Sequence, residues 1–356
     1  MGILYTDKPV FGFDIGRSSI KVMQIDTSSS KPRVTAYGPT SFDPKAIKSG
    51  VIVDHETVVR AAHTLLNDKL IGSLSTVRAA VSLPNSHSFS RILTLPKMDE
   101  NDLANAVRLE VDQSIPHPID ELYYDYSIVT ENKESGEREI QVVATPCDIV
   151  DSYMQLFEAL GLEVALIEPN ISAVTRIVVS AEDHDAASLI VDIGSTACDL
   201  TVFDGSAVRV TGTIDSSSER ITDNIAEKLG VERGKAQNIK TRYGLDVSKK
   251  QTEIIEAAKP ELNKLVNEIR KVMRYFADKG RNGDGKPIGQ IIILGGGANL
   301  PGLSSYLTDR TRVPTRLCAP WNNISFGKLQ PPHELESTLY TTASGLGLVT
   351  TKEISE

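Results

Sequence analysis

The sequence predicts an α/β protein in two lobes, with a small α+β unit inserted into the first. Three observations lead there. The chain has 356 residues, long for a single hydrophobic core. Its hydrophobic period switches repeatedly between two and 3.6, so strands and helices alternate. A strand–turn–strand pattern also occurs twice, as FDIGRSSIKV at 13–22 and VDIGSTACDL at 191–200. Asp14 and Asp192 stand half a chain length apart, as two equivalent halves require.

The elements follow in order. Residues 10–15 and 20–26 read as two strands joined by the first turn. Val58, Val59, Ala62, Leu65 and Leu66 fall on one helical face, and VRAAVSLP (77–84) is a buried strand. SFSRILTL is strand-like, and DENDLANAVRLEVDQ is a helix with Asp99 as N-cap. YYDYSIV and EIQVVAT flank the polar loop ENKESGER as a hairpin. DIVDSYMQLFEALG is a helix closed by Gly161, and LEVALIE is a strand. This β-α-β-β-α-β order is ferredoxin-like, so 84–164 is expected to be an inserted subdomain between lobe segments 1–83 and 165–185.

The second lobe opens at 186 with a meander of SLIVDIGS, CDLTVFD and AVRVTGT. A helix follows, expected to begin on a capping box from Ser216 to Glu219 and to end at Gly230. After a turn-rich piece at 243–248, Thr252–Phe276 is mostly helical, with Pro260 restarting it. QIIILGGGANLPGL reads as strand, glycine turn and helix, with Pro301 in the helix's first turn. The expected division is 186–215 and 290–350 for the lobe core, 216–289 for a helical subdomain and 351–356 for a tail.

Composition narrows the function. A net charge of −9, with no cluster among 38 basic residues, argues against a nucleic-acid surface. Cys147, Cys198 and Cys318 are scattered, without CxxC pairs, and predict reduced thiols in a cytosolic protein. The N-terminus lacks a signal-peptide pattern, and no run approaches the ~20 apolar residues of a membrane span. TTKEISE is no amphipathic anchor, so no direct membrane insertion is expected. Six histidines form no triad or metal cluster, and His63 and His117 read as structural or exposed.

The chemistry lies in the turns. Asp-x-Gly followed by a hydroxyl residue can present backbone N–H groups to phosphate, while its aspartate holds Mg²⁺. One copy is an ordinary hairpin turn, whereas two at equivalent positions read as paired phosphate clamps. In LGGGANLPG (294–302), glycines at a strand end let a base or phosphate lie against the backbone. Absence of GxxxxGK[ST] and GxGxxG excludes P-loop and Rossmann sites.

These turns, the Gly-rich strand end and ASGLG at 343–347 resemble the actin-like, ribonuclease H-like two-lobed ATPase fold of actin, sugar kinases and DnaK-type chaperones. SLPNSHSFSRILTLPKMDENDLANAVRLEVDQSIPHPIDELYYDYSIV and APWNNISF (319–326) resemble segments of the PilM family of type IV pilus assembly proteins, relatives of the division protein FtsA. The resemblance spans nearly the whole chain and implies ATP or ADP with Mg²⁺. It assigns Asp14, Gly16, Arg17, Ser18, Ser19 and Lys21 to the first phosphate loop, with Lys21 at the spacing of the phosphate lysine in actin. Asp192, Gly194, Ser195 and Thr196 would form the second loop. Asp14 and Asp192 would hold Mg²⁺ through water, and Glu168 and Asp192 would order the attacking or metal-bound water. Gln237 and Lys240 fall where the superfamily has Glu-x-x-Lys against ribose or adenine, and Gly295, Gly296, Gly297 and Asn299 complete the site. Ser217 and Ser218 replace the usual Gly-Gly before this helix.

The implied role is a cytoplasmic ATP-binding scaffold of a pilus, secretion or DNA-uptake platform, at most slowly hydrolytic. It would bind the cytoplasmic N-terminal peptide of a PilN-like inner-membrane protein in a nucleotide-dependent way, meet other platform proteins and self-associate in a ring. Alternatives are an FtsA-like polymer-forming division protein, a metabolic kinase of the same superfamily, or a pseudo-ATPase with permanently bound nucleotide. No sugar-kinase substrate motif is present.

Overall fold

The computed structural model describes residues 9–132, 135–179, 186–246, 248, 251–280 and 287–355. Residues 1–8, the 133–134 tip of the hairpin loop, residue 247 of the turn-rich piece, the lobe boundary at 180–185 and the last tail residue lie outside that set. Two compact units emerge: Met1–Ala181 with Pro320–Pro332 and Tyr340–Glu356, and Glu182–Ala319 with His333–Leu339.

The first unit begins with β1 (Phe11–Ile15), β2 (Ser19–Asp26) and β3 (Arg33–Ser41), paired antiparallel. A small ladder of β4 (Ile47–Lys48) and β5 (Val51–Ile52) precedes α1 (His55–Thr64), capped where Asp54 accepts from the Thr57 amide at 3.1 Å. Then come β6 (Ile71–Gly72) and β7 (Arg78–Leu83), the latter parallel to β1. β1 is buried along its whole length because it lies between β2 and β7 inside the sheet.

The inserted subdomain is β8 (Phe89–Pro96), α2 (Glu100–Ser114), β9 (Leu122–Glu131) and β10 (Glu137–Pro146). Asp99 caps α2 as expected, accepting from Asp102 N at 2.9 Å. The three strands pair in the order β8-β10-β9 over a separate core of Leu93, Leu103, Val107, Val111, Ile140 and Val142.

The expected fourth strand and second helix of that subdomain belong elsewhere. β11 (Glu163–Pro169) pairs in parallel with β7 and completes the main sheet, β11-β7-β1-β2-β3-β6. α3 (Cys147–Ala159) buries Ile149, Tyr153, Leu156 and Phe157 in that sheet's core beside Phe13. Parallel neighbours need a crossover, and the subdomain is an enlargement of the one between β7 and β11. α4 (Asn170–Val179) follows.

The second unit opens on the predicted meander, β12 (Ala187–Ile193), β13 (Cys198–Phe203) and β14 (Val208–Ile214). Helices α5 (Ser218–Leu229), α6 (Arg233–Tyr243) and α7 (Gln251–Gly280) come next. β15 (Ile288–Leu294) runs parallel to β12, and α8 (Leu303–Thr311) leads to β16 (Thr315–Leu317). The sheet order is β14-β13-β12-β15-β16.

Three local expectations shift here. The cap of α5 is Ser217, not Ser216: its Oγ accepts from Arg220 N at 3.2 Å, whereas Ser216 Oγ donates to the Glu261 carbonyl. α7 continues through Pro260 without restarting, because Ala257 and Ala258 before it and Leu262 and Leu265 after it share one core. Pro301 precedes α8 instead of entering its first turn, since a 3₁₀ turn at Gly296–Asn299 intervenes.

The chain then rejoins the first unit. Segment 320–332 packs Trp321 edge-on to Phe326 (5.0 Å between ring centroids), and Phe326 packs edge-on to Tyr37 of β3. α9 (Thr341–Gly347) and α10 (Thr351–Ser355) follow. The sequence places α9 in the second lobe; the structure packs it on β1, β2 and α4. Small residues make that contact: a Cβ on Gly345 would lie 1.9 Å from the Ala173 carbonyl oxygen.

Candidate functional site

The second unit holds a pocket of about 480 Å³. Its walls are Ser195 of the second Asp-x-Gly turn, Ser218, Glu219 and Thr222 of α5, Arg233, Gly234, Gln237 and Lys240 of α6, and Gly296 and Gly297 after β15. Of the residues singled out in the sequence, Ser195, Gln237, Lys240, Gly296 and Gly297 line this cavity.

Each wall has a local cause. Gly194 N donates to Ala197 O at 2.9 Å and closes the β12–β13 turn. A Cβ on Gly194 would lie 2.8 Å from that same carbonyl, so the turn needs glycine. The first amides of α5, which have no intrahelical acceptor, donate instead to this turn: Ser218 N to Gly194 O at 3.2 Å and Glu219 N to Ser195 O at 3.1 Å. The helix start is thereby fixed to the loop.

The three glycines divide their work. A Cβ on Gly295, whose φ is +80°, would lie 2.3 Å from Asp192 Oδ1, and one on Gly297 would lie 2.3 Å from Ile193 Cγ2. Both seat the β15 turn against the second loop, while exposed Gly296 faces the cavity. Asn299 is not among the pocket's lining residues: its Nδ2 donates to Leu335 O at 2.6 Å and Thr338 Oγ1 at 2.9 Å. Thr196 is half-buried and also outside the lining.

Gln237 and Lys240 share a face of α6, as their spacing implies. Lys240 is buried and donates to Ser218 O (2.8 Å), Ser218 Oγ (2.8 Å) and Thr222 Oγ1 (2.7 Å). Its pKa is pushed down to about 8, first by burial and then by the positive charge of Arg233. Serine at 218, where the superfamily has glycine, supplies an acceptor that glycine lacks. Arg233 pairs with Asp223 at 2.8 Å and Glu219 at 3.3 Å on the rim. Sequence reasoning did not single out Thr222; its i, i+4 spacing from Ser218 marks a shared face of α5, but only the fold shows that this face meets Lys240.

In the first unit, Asp14 and Lys21 are cross-strand partners on β1 and β2, both buried, with Nζ and Oδ2 3.3 Å apart. Ser82 Oγ, from β7, donates to the other Asp14 oxygen at 3.0 Å. Gly16 N donates to Ser19 O at 2.9 Å, Ser18 and Ser19 are half-buried, and Arg17 at the tip is exposed. Sequence reasoning did not single out Ser82, since nothing in VSLP marks a serine aimed at a neighbouring strand.

Glu168 ends β11 and is held bidentately by Arg176 of α4, at 2.9 and 3.1 Å. Burial raises its pKa, with the guanidinium opposing. Arg176 also reaches Gly345 O at 3.0 Å and Glu353 at 2.7 Å.

Among the described residues, no group of three or more His, Cys, Asp or Glu could hold a metal by itself. Among the same residues, no helix is long and apolar enough to cross a membrane.

The fold these units form is that of the actin-like ATPases. A chain of a solved PilM-PilN type IV pilus biogenesis complex superposes with a TM-score of 0.82 at 23% identity, covering 96% of this chain and 98% of that one. MreB 5 of Spiroplasma citri bound to AMPPNP superposes at 0.56 with 12% identity, covering 95% and 94%. In sequence, the cell division protein FtsA of Pseudomonas aeruginosa is 22% identical, with 90% of this chain and 85% of that protein aligned. Within this fold, the chain belongs to the family of the type IV pilus assembly protein PilM, whose model matches residues 12–351.

Proposed function

We propose that the chain is an ATP-binding scaffold of a type IV pilus or related secretion or DNA-uptake platform, which takes up the N-terminal peptide of a PilN-like membrane protein in a nucleotide-dependent way. The observation that carries the nucleotide part is the second-unit pocket, where Ser195, Gln237, Lys240, Gly296 and Gly297 share one cavity. Its size suits a base and sugar, and the adjoining Asp-x-Gly turn suits phosphates. Asp14, Lys21 and the turn at Gly16–Ser19 would supply the second phosphate contact. Asp14 and Asp192 would hold Mg²⁺ through water, and Lys21 would neutralise a terminal phosphate as a point charge. Glu168, tied to Arg176, is less free to order an attacking water, in keeping with slow turnover. The partner assignment rests on family membership and on the likeness to the PilM-PilN complex.

Calorimetric titration with Mg-ATP tests the reading. A Cβ on Gly234, in the first turn of α6, would meet nothing within 4 Å. Gly234 lines the pocket, so Gly234→Leu adds bulk at its wall without a clash and should lower ATP affinity at least about tenfold while keeping or raising Tm, since leucine favours helix over glycine. Asp192→Ala should weaken Mg-ATP retention. Equal, negligible ATP binding by the wild type and both variants would refute the proposal.

A further inference from the structure

The three hydrogens of the Lys240 ammonium are all engaged by protein oxygens: Ser218 O, Ser218 Oγ and Thr222 Oγ1, at 2.7–2.8 Å. None is left for a ligand. An ammonium can only donate, so Thr222 Oγ1 accepts from it and keeps its own hydrogen for another oxygen. Two acceptors are in reach, Gln237 Oε1 at 2.8 Å and Ser218 O at 3.2 Å. The Ser218 carbonyl already accepts from Lys240, and Gln237 Oε1 is nearer. A hydroxyl polarised by an ammonium is also a stronger donor, so the hydrogen goes to Gln237. With its carbonyl end turned to Thr222, the Gln237 amide presents its NH₂ group on the exposed side of the pocket wall.

We propose that Lys240 is a positioning residue that acts through Thr222 to present Gln237 Nε2 as a hydrogen-bond donor to the sugar hydroxyls of a nucleotide, without touching the nucleotide itself. This rests on the nucleotide-binding reading above. The polarity depends on glutamine at 237: a glutamate there could only accept from a sugar hydroxyl.

The relay depends on the charge of Lys240. The charged groups acting on it are Glu219 and Asp223 from α5 and Arg233 from α6; the carboxylates favour the ammonium, while Arg233 and burial disfavour it, giving a pKa of about 8. At pH 7 the ammonium form predominates and the relay is set. At pH 9 the neutral amine can accept the Thr222 hydrogen, and the Gln237 orientation is no longer enforced.

Affinities for Mg-ATP and Mg-2′,3′-dideoxyATP, measured at pH 7 and pH 9, test this on the wild type, Thr222→Val and Thr222→Ser. At pH 7 the wild type should prefer ATP by about five- to tenfold, the value of one hydrogen bond to a sugar hydroxyl. The preference should fall in Thr222→Val, where the freed Gln237 amide can still accept from a hydroxyl through Oε1, and persist in Thr222→Ser. In the wild type it should also shrink at pH 9, a result that needs no substitution and so does not depend on how the variants fold. A preference unchanged at pH 9, or unchanged in Thr222→Val, would overturn the relay while leaving nucleotide binding intact. Absence of any ATP binding by the wild type would overturn both.

Discussion

Arg176 shows what a single residue contributes in this chain. Its guanidinium joins Glu168 at the end of β11, the Gly345 carbonyl in α9 and Glu353 in α10, so one side chain ties three parts of the first unit. Removing it would leave Glu168 as a buried carboxylate without its bidentate partner. Arg176→Met should therefore cost about 3–5 kcal/mol in denaturant unfolding at pH 7, and Arg176→Met with Glu168→Gln should recover most of that. The single variant's loss should also shrink as pH falls. Burial already raises the Glu168 pKa, and without Arg176 it rises further, so the folded state takes up a proton that the unfolded chain releases. Glu168 was legible in IEPN because of its resemblance to a known carboxylate. Arg176, two helical turns on, was not, since sequence spacing does not show which helix face turns toward which strand end. Lys240 is the converse case: its position was legible, but its three internal acceptors lie on α5, and only the fold reveals that they occupy every hydrogen.

At the scale of elements, local signals held and allegiances did not. The Asp99 cap, the Gly230 helix end in the left-handed region, the 122–146 hairpin and the 187–214 meander all lie where the sequence places them. Periodicity reports that a segment has one apolar face but not which core receives it. α3 and β11 were therefore legible as helix and strand while their sheet was not, and α9 presented the same ambiguity. What decides α9 is backbone proximity. A Cβ on Gly345 would lie 1.9 Å from Ala173 O, and one on Gly12 would lie 2.3 Å from Ala343 O. Gly345→Ala gains helix propensity, yet it must push α9 off α4, and overpacking of this kind costs about 1–3 kcal/mol or more. Thermal melts should show a lower Tm for Gly345→Ala, whereas a Tm at or above wild type would mean that the helices yield without strain.

For the molecule as a whole, the chain alternates between its two units: it enters the second after α4, returns at 320–332, leaves for 333–339 and ends in the first. Each unit carries its own Asp-x-Gly turn, and each unit's sheet contains that turn between two of its strands, β1 with β2 and β12 with β13. The duplication visible in FDIGRSSIKV and VDIGSTACDL is thus a property of architecture. The measurement that bears most directly on the proposed role is the affinity of a PilN-like N-terminal peptide for the purified protein, by fluorescence anisotropy, with and without saturating Mg-ATP. A scaffold gated by nucleotide predicts a change of about fivefold or more, with ATP affinity changing by the same factor when the peptide is present. Peptide binding of equal strength in both conditions, or no peptide binding in either, would contradict it.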